Sequence, residues 1–245
     1  MPDDAPTHER GAADPAAPSA AAPSGTNAVV VHSDLRCPWA HVAVHRLLST
    51  VDREGMGSEL LVDHRWFPLE DDSMPTDPAA VDRKLEPVRA LEPGLDWHRW
   101  ADGGAEFPRD SRLPAAWVQA AKQVGPAASV ALDRALRVAL FAEGRDISDP
   151  EVIEAVASSV EDADVDAIRA EVESGRPDAE LDRQAELAGS DAVPVSPTIV
   201  LGDGTTWANP GIESRTEDGT PVVESDDPGV YAEIVDAYRA QRHYD

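Results

Sequence analysis

The sequence is poor in cysteine, because Cys37 is the single cysteine among 245 residues. A chain with one thiol cannot form an internal disulfide, which excludes the disulfide-stapled scaffold of many small secreted proteins. Lysine is almost as scarce, since only Lys84 and Lys122 occur. Acidic residues outnumber lysine plus arginine by 47 to 21, which gives a formal net charge of −26. Such a surface repels nucleic acid phosphates and anionic membranes, so we expect neither as a partner.

Long apolar runs are also missing from the chain. No stretch approaches the ~18 consecutive apolar residues that a membrane-spanning helix requires. The N-terminal segment MPDDAPTHER is acidic, and no apolar segment of the kind found in a secretory signal follows it. These absences predict a cytoplasmic protein that does not bind membranes.

The first part of the chain divides into a tail and a strand–helix–strand unit. Residues 1–26 are rich in Ala, Pro, Ser, Gly and Asp, a composition that predicts a disordered tail. The apolar, β-branched run AVVVH, from Ala28, predicts a buried strand, and ELLVDHRWF, from Glu59, predicts a second one. Between them, Pro38 suits the first turn of a helix with an apolar stripe.

The rest of the chain predicts an inserted block of helices. Residues 73–190 carry helical periodicity without strand signals, and Asp149 before a proline is a plausible helix N-cap. A short hairpin from Thr198 and a C-terminal helix complete the pattern. This order predicts an α/β fold in which residues 27–72 and 191–245 form one sheet unit, interrupted by a helical subdomain.

Cys37 stands where the first predicted strand meets the first predicted helix. Free N–H groups and the helix dipole favour negative charge there, which predicts a lowered pKa for the thiol. The thiolate is the nucleophile of disulfide exchange. Trp39 could contact a substrate, and His41, one turn on, could add a positive charge or shuttle a proton. The alternative is a buried structural cysteine, because free cysteines are among the most buried residues.

Other charged and metal-binding candidates near the thiol are weaker. Arg36 could lower the pKa of the thiol further, and Asp34 would oppose that effect. His41 and His45 are four residues apart on one predicted helix, a spacing that can chelate a metal ion. No glutamate or cysteine completes a recognisable zinc pattern around them, so we predict no metal site.

Three segments, taken together, resemble one protein family. DLRCPWAHVAVHRL, around Cys37, is similar to the active-site segment of DsbA-like oxidoreductases, especially the FrnE-like and 2-hydroxychromene-2-carboxylate isomerase branch. LRVALFAEGRDISDPEVI, residues 136–153, is similar to a signature of that branch's inserted helices. VPVSPTIVLGDG, residues 193–204, resembles the loop that carries the family's cis-proline, which would be Pro197.

The resemblance implies a thioredoxin-like fold with an inserted α-helical subdomain and an oxidoreductase activity. It also implies that Cys37 is the catalytic nucleophile. The residues that would contact the substrate are Pro38, Trp39, His41, Ser196 and Pro197.

The sequence departs from this family at Ala40, which replaces the second cysteine of the Cys-x-x-Cys motif. Monothiol exchange at Cys37 with a protein or small-molecule thiol or disulfide remains feasible. We therefore predict a thiol-dependent oxidoreductase with no bound cofactor and a low-molecular-weight thiol as co-substrate. A small-thiol-dependent isomerase or transferase and a catalytically inactive binding domain stay open. The inserted helices could form a homodimer surface or a lid.

Overall fold

The structure is a computed structural model that describes residues 28–161 and 163–242. Its strands are β1 (Ala28–Ser33), β2 (Leu61–Trp66), β3 (Thr198–Val200), β4 (Thr206–Ala208), β5 (Ile212–Glu217) and β6 (Thr220–Asp226). Its helices are α1 (Pro38–Arg53), α2 (Pro78–Arg89), α3 (Arg112–Val124), α4 (Pro126–Phe141), α5 (Pro150–Ser159), α6 (Val165–Glu173), α7 (Arg176–Ala185) and α8 (Val230–Arg242). The tail predicted for residues 1–26 lies outside the described residues. In the part of the chain that is described, no helix has the length and apolar character to cross a membrane.

The main sheet has four strands in the order β2-β1-β3-β4. β1 pairs in parallel with β2, while β3 pairs antiparallel with both β1 and β4. Consecutive parallel strands need a crossover connection, which α1 supplies here. Val29 and Val31 face a core shared with α1 and α8, and Val30 is also fully buried on the opposite face. The carboxyl end of β1 therefore leads out of a strand that is covered on both sides.

The apolar core separates into two large clusters. In one cluster, apolar residues of β1 and β3 pack against those of α1 and α8. The other cluster is formed by apolar residues of the helices from α2 through α6. α4 contacts both clusters: Val130 packs against the sheet cluster, whereas Leu132 belongs to the helical one. Leu35, in the turn after β1, also packs into the helical cluster. The helices between β2 and β3 are thus joined to the sheet unit next to the start of α1.

Two of the inserted helices begin with the same N-capping arrangement. Asp77 accepts a hydrogen bond from the Ala80 N–H at the start of α2, and Asp149 accepts one from the Glu151 N–H at the start of α5. A proline follows each aspartate, at a position where a helix does not need the missing N–H. The sequence-based prediction of Asp149 as an N-cap is confirmed.

Two elements were not apparent from the sequence pattern. α2 contains Pro87 in its interior, which weakens its helical signal. The β5–β6 hairpin is polar and largely exposed, so it lacks the apolar alternation of a half-buried strand. Its turn does carry a local signal, because Asp218 and Gly219 have φ values of 49° and 76°. An Asp-Gly pair with two positive φ angles is typical of a two-residue hairpin turn.

Candidate active site

Cys37 is the N-cap residue of α1. Its N–H donates to the Asp34 carbonyl at 3.1 Å, and its carbonyl accepts the His41 N–H at 3.0 Å. The turn from Asp34 therefore runs directly into the first turn of the helix. Unlike Asp77 and Asp149, Cys37 makes no side-chain capping hydrogen bond, so its sulfur is available for other contacts.

The sulfur of Cys37 lies against the loop that precedes β3. Its thiol donates to the Ser196 carbonyl oxygen at 3.2 Å. The Ser196 hydroxyl accepts the Asp34 N–H at 3.0 Å, which ties the same loop to the turn before the thiol. The peptide bond between Ser196 and Pro197 is cis. The fold thus brings together three of the residues singled out in the sequence, although 159 positions separate Cys37 from Ser196.

The environment of Cys37 raises the pKa of its thiol. Burial is the largest cause, since only 3% of the residue is exposed. The nearby Ser196 side chain and Ala40 backbone favour the thiolate, as does the charge of Arg137, while Asp34 opposes it. The expectation of a lowered pKa is therefore wrong, because desolvation of the charged sulfur outweighs the groups that stabilise it.

Asp34 and Arg36 hold the turn before the thiol. The Asp34 carboxylate accepts the Arg36 N–H at 2.7 Å, the Arg36 guanidinium at 3.1 Å and the Leu69 N–H at 2.9 Å. Arg36 also donates to the backbone carbonyls of Leu69 and Arg109. Both charged side chains are buried. The guanidinium of Arg36 therefore pairs with Asp34 and fixes the loops around it.

His41 lies in the seam between α1 and the helical cluster. Its ring stacks on Phe141 at 4.8 Å between centroids and meets the edge of Trp97 at 5.1 Å. Burial, followed by the charge of Arg137, lowers the pKa of His41 to about 3. The ring is neutral near pH 7, so it does not supply the positive charge that the sequence suggested. A substrate-binding role for His41 stays a prediction.

The two residues after Cys37 differ in their exposure. Pro38 is buried at the first position of α1. Trp39 is half-buried and packs beside Val42, Val88 and Ile212. A substrate at this end of α1 could contact the exposed part of the Trp39 side chain.

An ion pair that the sequence analysis did not single out lies behind the thiol. Arg137 of α4 bonds Asp133 at 2.7 Å and also donates to the Asp34 carbonyl and the Ser33 hydroxyl, at 3.1 Å and 2.8 Å. His64 Nδ1 lies 3.6 Å from the Asp133 carboxylate, and burial lowers the pKa of His64. The sequence signal that could have identified this ion pair is the spacing of Asp133 and Arg137, which lie four residues apart within an apolar helical stretch.

Two adjoining clefts lie between α1 and α4. The larger, of about 580 Å³, has Leu61 and Val138 in its wall. The smaller, of about 120 Å³, shares Val138 and also includes His41 and Arg137. Only the smaller cleft comes within one helical turn of Cys37, through His41. Within the described residues, no group of three or more His, Cys, Asp or Glu side chains is arranged to hold a metal ion.

Comparisons with known proteins agree with this architecture. The model of the DSBA-like thioredoxin domain matches residues 28–215. No curated protein sequence matches the chain. Among solved structures, the cytosolic disulfide reductase DsbM from Pseudomonas aeruginosa has a TM-score of 0.56 at 20% identity, over 89% of this chain and 97% of that chain.

Two further structures share the fold. DsbM with GSH also gives a TM-score of 0.56 at 20% identity, over 89% of this chain and 98% of that chain. A 2-hydroxychromene-2-carboxylate isomerase gives 0.56 at 18% identity, over 74% of this chain and 87% of that chain. Together with the domain match, these similarities confirm the predicted thioredoxin-like α/β fold with inserted helices.

Proposed function

The chain belongs to the DSBA-like thioredoxin family, and on that premise we propose that it is a thiol–disulfide oxidoreductase with Cys37 as its single nucleophile. One observation carries the proposal: the Cys37 sulfur sits at the N-terminus of α1 and touches the Ser196 carbonyl at 3.2 Å. Val195, the residue before Ser196, is 40% exposed. A disulfide substrate that reaches the sulfur can therefore lie along this loop.

Ala40 dictates how the reaction has to be completed. In the first step the Cys37 thiolate attacks one sulfur of a substrate disulfide, that S–S bond breaks, and one thiolate leaves. Cys37 is then held in a mixed disulfide, and Ala40 has no thiol to resolve it. A thiol from solution must perform the second attack. We propose a glutathione-class thiol, which is supported by the GSH bound to the fold relative DsbM.

The full cycle balances with that thiol alone. When the substrate is a mixed disulfide of glutathione, Cys37 takes the glutathionyl sulfur and releases the substrate thiolate, which takes up a proton. A second glutathione thiolate attacks the glutathionyl sulfur, releases the Cys37 thiolate and leaves as glutathione disulfide. The substrate disulfide is reduced and one glutathione is oxidised, so no other redox partner is needed.

The test is thiol exchange by the native full-length chain with glutathione disulfide, followed by intact-mass spectrometry. We expect one glutathionyl group on Cys37, its release by reduced glutathione, and no adduct on a Cys37→Ser variant. An adduct that forms only after denaturation would contradict the proposal. That result would favour a binding domain without turnover, to which the raised pKa of the buried thiol and the loss of the second cysteine also point.

The clefts between α1 and α4 favour a second candidate function. A small-thiol-dependent isomerase or transferase needs space for a second molecule near its thiol, and the 120 Å³ cleft is lined by His41, one helical turn from Cys37. Calorimetric titration of the Cys37→Ser variant with reduced glutathione distinguishes the two. Saturable binding to the variant, together with no glutathionyl adduct on the wild type, supports the isomerase or transferase, whereas an adduct on the wild type supports exchange at Cys37.

A further inference from the structure

Asp133 and Arg137 form a buried ion pair on the helix that joins the two core clusters. They lie one turn apart on α4, bonded at 2.7 Å, and only 3% and 1% of the two residues are exposed. Replacing a buried ion pair by apolar side chains of similar volume is often neutral or stabilising. Its contribution to stability therefore does not by itself account for a buried charged pair here.

The contacts of Arg137 lead to the thiol. One guanidinium nitrogen donates to the Asp34 carbonyl at 3.1 Å, and another donates to the Ser33 hydroxyl at 2.8 Å. The same Asp34 carbonyl accepts the N–H of Cys37 at 3.1 Å. Arg137 and the backbone of Cys37 thus meet on one oxygen atom, and Arg137 reaches it from the inserted helices.

We propose that Arg137 is a positioning residue for Cys37 and that Asp133 sets how strongly the Arg137 charge acts on the sulfur. The inference rests on the proposed function, because it describes the control of the same thiol. In this arrangement the inserted helices hold the active-site turn in place. They also supply the positive charge that opposes the cost of burying a thiolate.

The other charged groups around the thiol do not replace Arg137. Asp34, in the preceding turn, disfavours the thiolate, whereas the charge of Arg137 lowers the pKa of Cys37 against the larger effect of burial. His41 in α1 and His64 in β2 both have lowered pKa values, chiefly through burial, so neither ring is charged near pH 7. Arg36 is paired with the Asp34 carboxylate.

The two members of the pair should affect the thiol in opposite directions. Arg137→Met removes the positive charge and should raise the pKa of Cys37. Asp133→Asn leaves the positive charge of Arg137 uncompensated and should lower it. Below the inflection, alkylation by iodoacetamide should become about 3- to 10-fold slower in the first variant and faster by a similar factor in the second.

The experiment is the rate of Cys37 alkylation against pH in the full-length chain, with thermal melting of each variant alongside. Arg137→Lys retains the charge and provides a milder variant if Arg137→Met does not fold. It should keep the pH profile closer to the wild type. Arg169→Met and Asp166→Asn are matched controls, because Arg169 and Asp166 form an ion pair on α6 without contact to Cys37. They should leave the profile unchanged.

Opposite shifts in the two pH profiles would support the proposal, because a merely structural pair would lower both melting temperatures without such a pattern. Shifts in the same direction, or an unshifted profile in a folded Asp133→Asn or Arg137→Met protein, would overturn it. Alkylation needs no disulfide substrate. A wild type that alkylates but does not exchange with glutathione disulfide therefore refutes the proposed function and leaves this test intact.

Discussion

The starts of α1 and α5 have similar local sequences and different surroundings. Each helix has a polar N-cap residue followed by a proline. At α5 the Asp149 side chain accepts the Glu151 N–H at an exposed position. At α1 Cys37 makes no capping bond, and its sulfur is buried against Ser196. The same pattern, an N-cap residue followed by a proline, therefore only begins a helix at α5. At α1 it also places the Cys37 thiol against the loop that contains Ser196.

The difference shows that a helix N-terminus alone does not set the pKa of a thiol. The dipole and the free N–H groups favour a thiolate, but burial of the sulfur acts in the opposite direction and dominates at Cys37. What remains to favour the thiolate comes from tertiary contacts, namely Ser196 and Arg137, together with the Ala40 backbone. The following predictions test this contrast between the two helix starts.

The largest effect is expected at the N-cap residues themselves. Cys37→Ser should abolish exchange with glutathione disulfide, because the nucleophile is lost. Asp149→Ala should leave exchange unchanged and lower the free energy of unfolding by about 1 kcal/mol, through loss of an N-cap. Intact-mass kinetics and urea denaturation measure the two effects. Loss of exchange in a folded Asp149→Ala protein would contradict the conclusion that only the start of α1 takes part in exchange.

Ala40→Cys should restore the second thiol of the Cys-x-x-Cys motif. Because Ala40 is buried in the first turn of α1, at the place of the motif's second cysteine, the new thiol should form a disulfide with Cys37. Thiol counting after mild oxidation should show no free thiol, and reduction should recover two. Two free thiols under conditions that oxidise glutathione would show that the scaffold does not hold the required geometry.

Ser196→Ala should slow alkylation of Cys37 several-fold at fixed pH. The variant loses a hydroxyl that favours the thiolate and also accepts the Asp34 N–H. The unpaired N–H should in addition cost about 1–3 kcal/mol of stability. Ser196→Thr, which keeps the hydroxyl, is the matched control. An unchanged alkylation profile in Ser196→Ala would show that the Ser196 hydroxyl does not affect the pKa of Cys37.

The smallest effect concerns the fourth helical residue of α1, which is His41, while Ile153 occupies the equivalent place in α5. The pKa of folded His41 is lowered to about 3 from an ordinary 6.5, so the unfolded chain binds a proton that the folded chain does not. Stability should therefore fall as the pH drops from about 6.5 towards 3.

His41→Ile gives α1 the residue that α5 has and should reduce that pH dependence. Urea denaturation between pH 4 and 7, compared with wild type, measures the change. His64 has a lowered pKa as well, so part of the slope should persist in the variant. An identical slope in both proteins would show that His41 is not held neutral by the fold.

Local signals explain why much of the fold was apparent from the sequence. The valine run of β1, the proline at the start of α1 and the Asp149 cap each act over a few residues, and the structure contains all three. The position of Cys37 at a strand–helix junction follows from the same signals. The sequence pattern did not predict the β5–β6 hairpin, because its strands are polar. It did not predict α2 either, because Pro87 lies in the interior of that helix.

Features that depend on residues far apart in the chain could not be predicted in the same way. The Arg137 bond to the Asp34 carbonyl spans 103 positions, so no window of sequence contains it. Burial of the Cys37 sulfur likewise results from packing of the whole site. The sequence therefore predicts correctly that Cys37 lies where a strand meets a helix, whereas the predicted direction of its pKa shift is wrong.

The most direct test of the central claim is the rate at which glutathione disulfide modifies Cys37 in the native full-length chain, measured against pH. We expect a single adduct on Cys37 that forms slowly at neutral pH. Its rate should rise through an inflection above the ordinary pKa of a cysteine, and reduced glutathione should reverse the modification. A folded protein that forms no adduct at any pH would contradict the claim that Cys37 is the working nucleophile.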